Sequence, residues 1–275
     1  ALWAWLQTGV QTQVLPSNLF EARHGSYRQL FGANLCNRAA NSEYQTRLIF
    51  RDYIMQLTDA KCTLANNCIR TWIFVQNVDV NYPGVVKARK EVFATQNLTE
   101  NTHFIASTGI EGRYQDTSVY VTMDTYAVSG IGQEQIQYLY APNHLSRTYE
   151  YGVTFERGVA ITYGDRRHVF VSGTASIDRY GEIVYPGDVI KQSERMVENI
   201  TALLNEAGAD QNDIMQAIVY IRDTGDFARV KQYMETNHST MPYLIVRAPV
   251  CRPGWLVEIE CIAVVAVDEP EYAPL

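Results

Sequence analysis

At 275 residues, 47% of them hydrophobic and 19% charged, the chain can bury a sizeable core in one large domain or two ordinary ones, which excludes wholesale disorder. The net charge of -7 argues against a nucleic-acid partner, because the two short basic clusters, Lys87-Ala-Arg-Lys90 and Arg166-Arg167, read as solvated faces. No apolar run reaches the roughly 18 residues that a membrane-crossing helix needs, so no membrane partner is expected.

The chain opens on Ala1-Leu-Trp-Ala-Trp-Leu6, which lacks an initiator Met and a basic flank. It resembles the interior of a fold more than a signal peptide, and residues upstream are expected to be missing. Leu30-Phe-Gly32 marks a first strand, and Ile49, Phe50, Tyr53, Ile54 and Leu57 recur at helical spacing. Thr71-Trp-Ile-Phe-Val-Gln-Asn77 reads as a strand. Pro83 suits the first turn of a helix running towards Phe93. Val121 to Val128 is a further strand, and the polar stretch from about Ser129 to Arg147 reads as a linker.

The second half gives cleaner signals. His168 to Gly173 is a short apolar strand with a hairpin expected around it, and Pro186-Gly-Asp188 offers a turn and an N-cap. Met196, Val197, Ile200, Leu203 and Leu204 then share a helix face that Gly208 closes. A strand from Ala217 to Arg222, a helix from about Asp226 to Thr236, and strands at Tyr243 to Arg247 and from Trp255 onwards complete the order.

These landmarks repeat. Leu30-Phe-Gly32 parallels Val171-Ser-Gly173, Thr71 to Asn77 parallels Ala217 to Asp223, and Val121 to Val128 parallels Val257 to Val264. Landmarks recurring in order at similar spacing imply two copies of one unit, expected over residues 1–137 and 138–275. In this alignment Thr122 stands where Glu258 stands, and Asp124 where Glu260 stands.

The closing strand carries the best chemical lead. Alternation places Glu258 and Glu260 on one face with Leu256, Ile262 and Val264, and leaves Trp255, Val257, Ile259, Cys261 and Ala263 as a core stripe. A carboxylate among apolar neighbours is partly desolvated, which disfavours its charged form and poises it as a proton donor. The competing reading is two solvent-facing carboxylates on a half-exposed strand. The five cysteines form no close CxxC pair and the five histidines show no metal-ligand spacing, so reduced thiols in a cytoplasm, no metal and no cofactor are expected.

Phe170-Val-Ser-Gly-Thr-Ala-Ser-Ile-Asp178, Gly187 to Gln192, Val219-Tyr-Ile-Arg-Asp223 and Val257 to Ala263 together resemble the Rid/YjgF (endoribonuclease L-PSP-like) superfamily. The resemblance implies an α+β fold of two tandem Rid-like (chorismate mutase-like) units. Each would be a mixed sheet with two helices on one face, the first unit degenerate and the second carrying the site. It also implies a homotrimer with pockets at its interfaces. Two branches compete. Imine deaminases hold a substrate carboxylate with an Arg on the strand before the last hairpin, where this chain has Leu244, with Arg247 further on.

The chorismatases are similar in more ways. Their motifs resemble Arg70-Thr-Trp72, Phe155-Glu-Arg-Gly158, Ser172 to Ile177 and Val250-Cys-Arg252, and the Cys251 to Glu258 spacing is the sharpest match. Their Gly-His segment is replaced here by Asp178-Arg-Tyr-Gly181. This branch implies cleavage of an enol ether in a small carboxylated metabolite, with Glu258 as the acid and Glu260 as its substitute. Arg70 and Arg157, with Arg252 behind them, would bind carboxylates, although each can equally brace a turn. Gly173, Thr174 and Ala175 would present backbone N–H groups to the ligand or form a close-packed turn. Cys251 reads as a small pocket-lining residue rather than a nucleophile, since no base is apparent beside it. A non-catalytic trimer that binds a small acid remains the third reading.

Overall fold

The structure, a computed structural model, describes residues 4–275; residues 1–3 of the opening segment lie outside the described residues. The first unit runs β1 (Gln11–Val14), β2 (Phe20–His24), β3 (Tyr27–Cys36), α1 (Ser42–Asp59), the single turn α2 (Leu64–Asn67), β4 (Cys68–Val75), α3 (Val78–Thr95), β5 (Ala106–Glu111) and β6 (Val121–Ser129). The second runs β7 (Ile136–Leu139), β8 (Gly158–Thr162), β9 (Arg166–Ala175), α4 (Val189–Glu206), β10 (Ile214–Ile221), α5 (Phe227–Asn237), β11 (Tyr243–Arg247) and β12 (Val257–Ala266). Their six-stranded sheets have orders β1-β2-β3-β6-β4-β5 and β7-β8-β9-β12-β10-β11, which match strand for strand. Among the described residues no helix is long and apolar enough to cross a membrane.

The repeat extends to register. Trp72 faces Asp124 and Phe74 faces Thr122 in the first sheet, as Ile218 faces Glu260 and Tyr220 faces Glu258 in the second. Thr122 therefore occupies the position of Glu258, as the sequence alignment had it. Local signals explain the main helices. Asn41 accepts the Tyr44 N–H to start α1, Asp188 accepts those of Ile190 and Lys191 to start α4, and Gly208 leaves α4 at φ +71°.

Two expectations are corrected. Pro83 does not open α3 but lies inside it, because the helix begins earlier, where the Glu111 carboxylate accepts the Val78 N–H at 2.7 Å. The polar stretch from Ser129 to Arg147 is not a linker throughout, since it contains β7, which pairs with β8 along the edge of the second sheet. The expected boundary at 137/138 falls within that strand.

Each unit buries one sheet face under its helices, around Phe50, Tyr53 and Phe93 in the first and Met196, Leu203 and Ile259 in the second. The opposite faces need a cover of their own, and the two units provide it for each other. Tyr126 and Phe170 meet at 5.3 Å between ring centroids, with Tyr27, Val159, Ile161 and Tyr163 around them. This packing puts the Glu258 and Glu260 face of β12 against β4 and β5 of the first unit. Both residues are only 3% exposed, so the solvent-facing reading is excluded.

Candidate active site

A cleft lies between the units, walled by α3 and β5 on one side and by β9, β12 and the loops before β8 and β12 on the other. Glu258 stands at its base with Gly173 and Ala175 of β9 beside it. Tyr82, Arg89, Ser107 and Gly109 come from the first unit, and Tyr151, Phe155, Arg157, Cys251, Arg252 and Trp255 from the second. The enclosed space is about 20 Å³, room for a water molecule. It opens past Tyr82, Tyr151, Cys251 and Arg252 into an outer cleft of about 490 Å³ that Lys87 and Lys90 flank. The space beside Glu258 is too small for a metabolite as it stands, so binding one there requires the lining side chains to move apart.

Burial, reinforced by the neighbouring Glu260 charge and opposed by Arg70 and Arg157, pushes the Glu258 carboxyl up to about 8. Among the described residues no group hydrogen-bonds that carboxyl, so its proton is free to face a ligand. The neighbouring Glu260 is different. Its Oε1 accepts from the Trp72 Nε1–H at 3.1 Å and the Tyr220 hydroxyl at 3.0 Å, and its Oε2 from Arg70 Nη2 at 2.6 Å and from the Thr108 hydroxyl. These donors fill the carboxylate's acceptor sites. Glu260 is a satisfied anion and no substitute for Glu258 as a proton donor.

The expected carboxylate-binding residues divide. Arg157 lines the cleft, its guanidinium held by the Ser146 carbonyl at 3.0 Å and lying near the Tyr151 and Phe155 rings. Arg252 is exposed at the mouth. Arg70 does not line the cleft, because Glu260, Thr108 and Ser172 engage its guanidinium. Thr174 is fully buried with its hydroxyl turned to the Ser172 carbonyl, and it too is outside the cleft. The Gly173 N–H is donated to Thr108 Oγ1 at 2.9 Å, so it does not face a ligand. Burial, aided by Glu258, pushes the Cys251 thiol up to about 12, which keeps it a thiol and fits a lining role.

Arg89 was missed, having been read as part of a solvated basic face. It is 1% exposed, and its Nη2 has no hydrogen-bond partner. Its other nitrogens reach only the Thr154 hydroxyl at 3.3 Å and the Ser107 hydroxyl at 3.5 Å, and among the described residues no carboxylate pairs with it. A buried guanidinium without a counter-charge is costly, and an anion in the cleft would relieve that cost. The signal was available: Arg89 sits four residues from both Val85 and Phe93, on the buried stripe of α3.

Leu244, which stands at the place of the deaminase arginine, is on β11, at the outer edge of the second sheet, and does not line the cleft. The corresponding wall here is β5 of the first unit, whose sequence Ala-Ser-Thr-Gly-Ile-Glu carries no arginine. Among the described residues no group of three or more His, Cys, Asp and Glu side chains is placed to hold a metal ion.

Comparison with known proteins agrees with this architecture. The Endoribonuclease L-PSP family profile matches residues 157–265. A RutC family protein of Pyrococcus abyssi is 40% identical over 101 residues, covering 34% of this chain and 76% of the relative. A 2-iminobutanoate/2-iminopropanoate deaminase of Capra hircus is 31% identical over 103 residues, covering 36% of this chain and 73% of its own length. A crystal structure of a chorismatase superposes with a TM-score of 0.73 at 20% identity, over 92% of this chain and 79% of that one, a likeness of fold that spans both units. The chain belongs to the Rid (YjgF/RutC, endoribonuclease L-PSP) superfamily and carries its unit twice, in the chorismatase-like arrangement.

Proposed function

We propose that the chain is a hydrolase or lyase that cleaves an enol ether in a small carboxylated metabolite of the chorismate type, with Glu258 as general acid. The observation that carries this reading is a carboxyl held neutral near pH 7 at the base of a cleft whose walls present Arg89 and Arg157. Glu258 gives its proton to the methylene carbon of the enolpyruvyl group, and the adjacent carbon becomes an oxocarbenium ion. Water adds there, returning a proton to the Glu258 carboxylate, and the resulting hemiketal collapses to pyruvate and the ring alcohol. Acid catalysis of this kind contributes about 10²–10⁴-fold. Arg89 and Arg157 hold the substrate carboxylates, Arg252 guards the mouth, and Cys251 and Gly173 shape the space around the acid. The reaction needs water and no cofactor.

Both walls of the cleft come from one chain, so activity per chain is expected to be independent of protein concentration whether or not the homotrimer implied by the resemblance forms. All five cysteines are free, which suits a cytoplasmic setting. Incubation with chorismate and measurement of pyruvate tests the reading: Glu258→Gln is expected to lower release by about 10²-fold or more. Release that survives the substitution rejects it.

The deaminase relatives support a second reading, imine hydrolysis, for which ammonia release from 2-iminopropanoate is the assay. The absence of an arginine on β5 counts against it. A module that only binds small acids would show thermal stabilisation by chorismate, in wild type and Glu258→Gln alike, without turnover.

A further inference from the structure

We propose that the buried Arg70–Glu260 pair is a positioning device for Glu258, which fixes the seat of the acid and holds the proton on Glu258 rather than on its neighbour. The inference rests on Glu258 being the proton donor. It begins with an asymmetry between two carboxyls on one face of β12. Glu260 takes four donors, from Arg70 and Trp72 on β4, Thr108 on β5 and Tyr220 on β10, whereas no group hydrogen-bonds the Glu258 carboxyl among the described residues. When two close carboxyls have such unequal partners, the one with more hydrogen-bond donors and a cation keeps the charge and the other keeps the proton.

The same network builds the floor under Glu258. Thr108 both bonds Glu260 and accepts the Gly173 N–H at 2.9 Å. Arg70 Nη1 donates to Ser172 Oγ at 3.2 Å, and that oxygen also accepts the Ser107 N–H at 2.9 Å and donates to the Glu156 carbonyl at 2.6 Å. These bonds cross from the first unit to Ser172 and Gly173, where the β9–β12 ladder shifts register. The pair therefore ties the bulge that seats Glu258 to the opposite wall. Around Glu258 the other charged and titratable groups are Arg157, Tyr220 opposite it on β10, Tyr82 and Arg89 of α3, and Tyr151, Cys251 and Arg252 at the mouth. Glu260 is the anion among these neighbours, so its removal has a definite sign.

The test reads Glu258 directly and needs no turnover. The full chain is labelled with ¹³C at the glutamate carboxyls, and the Glu258 resonance is assigned by its loss in Glu258→Gln. Glu260→Gln removes the neighbouring anion and leaves Arg70 uncompensated, and the Glu258 midpoint is expected to move about one pH unit or more towards acid, roughly tenfold weaker proton binding. Arg70→Met combined with Glu260→Gln removes both charges together, which buried pairs often tolerate. It is expected to give a midpoint between wild type and the single variant, and it carries the test alone if the single variant does not fold. A midpoint equal to wild type in the folded variant overturns the inference while leaving the reaction untouched. Turnover that persists in Glu258→Gln would remove the reaction while leaving the titration readable.

Discussion

The Glu258 carboxyl occupies the space that a side chain on Gly173 would fill: a Cβ there would lie 2.2 Å from Oε1 and 3.1 Å from Thr108 Cγ2. Gly173 thus acts through what it lacks. Gly173→Ala is expected to push the acid out of its seat, lowering pyruvate release from chorismate by about tenfold or more and stability by about 1–3 kcal/mol. Steady-state kinetics and denaturant melts check both effects. Wild-type values in this variant would mean that Glu258 has another place to sit.

The elevated midpoint of Glu258 makes a prediction about pH and stability. An unfolded glutamate takes up a proton near 4.5 and the folded one near 8, so between these values the native state binds more protons than the unfolded state. Stability from this group is therefore present at low pH and lost as pH rises through the window, at up to about 1.4 kcal/mol per unit. The difference in unfolding free energy between wild type and Glu258→Gln should change steadily in favour of the glutamine variant from pH 5 to pH 8. Parallel curves would contradict the buried neutral acid. Catalysis should likewise fall as pH passes about 8.

Arg89 predicts an exchange of stability for binding. Arg89→Met removes a buried cation that has no carboxylate partner and keeps much of its volume. It is expected to raise unfolding free energy by about 1 kcal/mol, while weakening chorismate binding by about tenfold or more. Calorimetry on the same preparation measures both. A destabilised variant with intact binding would make Arg89 a structural brace.

Cys251 should behave as an inert thiol despite lining the cleft. With its midpoint near 12, only about one in 10⁴ molecules carries the thiolate at pH 8, and alkylation by iodoacetamide should lag far behind that of a free cysteine. Mass spectrometry of the modified peptides gives the rates. Fast labelling at Cys251 would show a nearby base or cation acting on it.

Much of the architecture was legible because alternation and helical spacing are local. The core stripe of β12, the N-cap at Asp188 and the repeat itself needed only sequence neighbours. Thr122 could be matched to Glu258 because the two ladders keep one register. The composite nature of the site was not legible. The deaminase motif points to Leu244, on the strand before the last hairpin, but the wall opposite Glu258 is β5 of the other unit, and packing between distant strands leaves no local trace. Arg70 was assigned to a ligand because its motif matched, yet a one-dimensional motif cannot show that Glu260 already engages the guanidinium. Arg89 was hidden by its lysine neighbours, although its spacing from Val85 and Phe93 placed it on the buried face.

In a ring of identical subunits every substitution appears in all interfaces at once, so a residue that helps one wall must also be tolerated on the other. Here the two walls are encoded by different residues of one chain, and Thr122 in the place of Glu258 shows the two units already diverged. Selection can therefore adjust the wall that carries Arg89 without altering the wall that carries Glu258, Arg157 and Arg252. A substitution on one wall thus changes the cleft without an obligatory copy on the other.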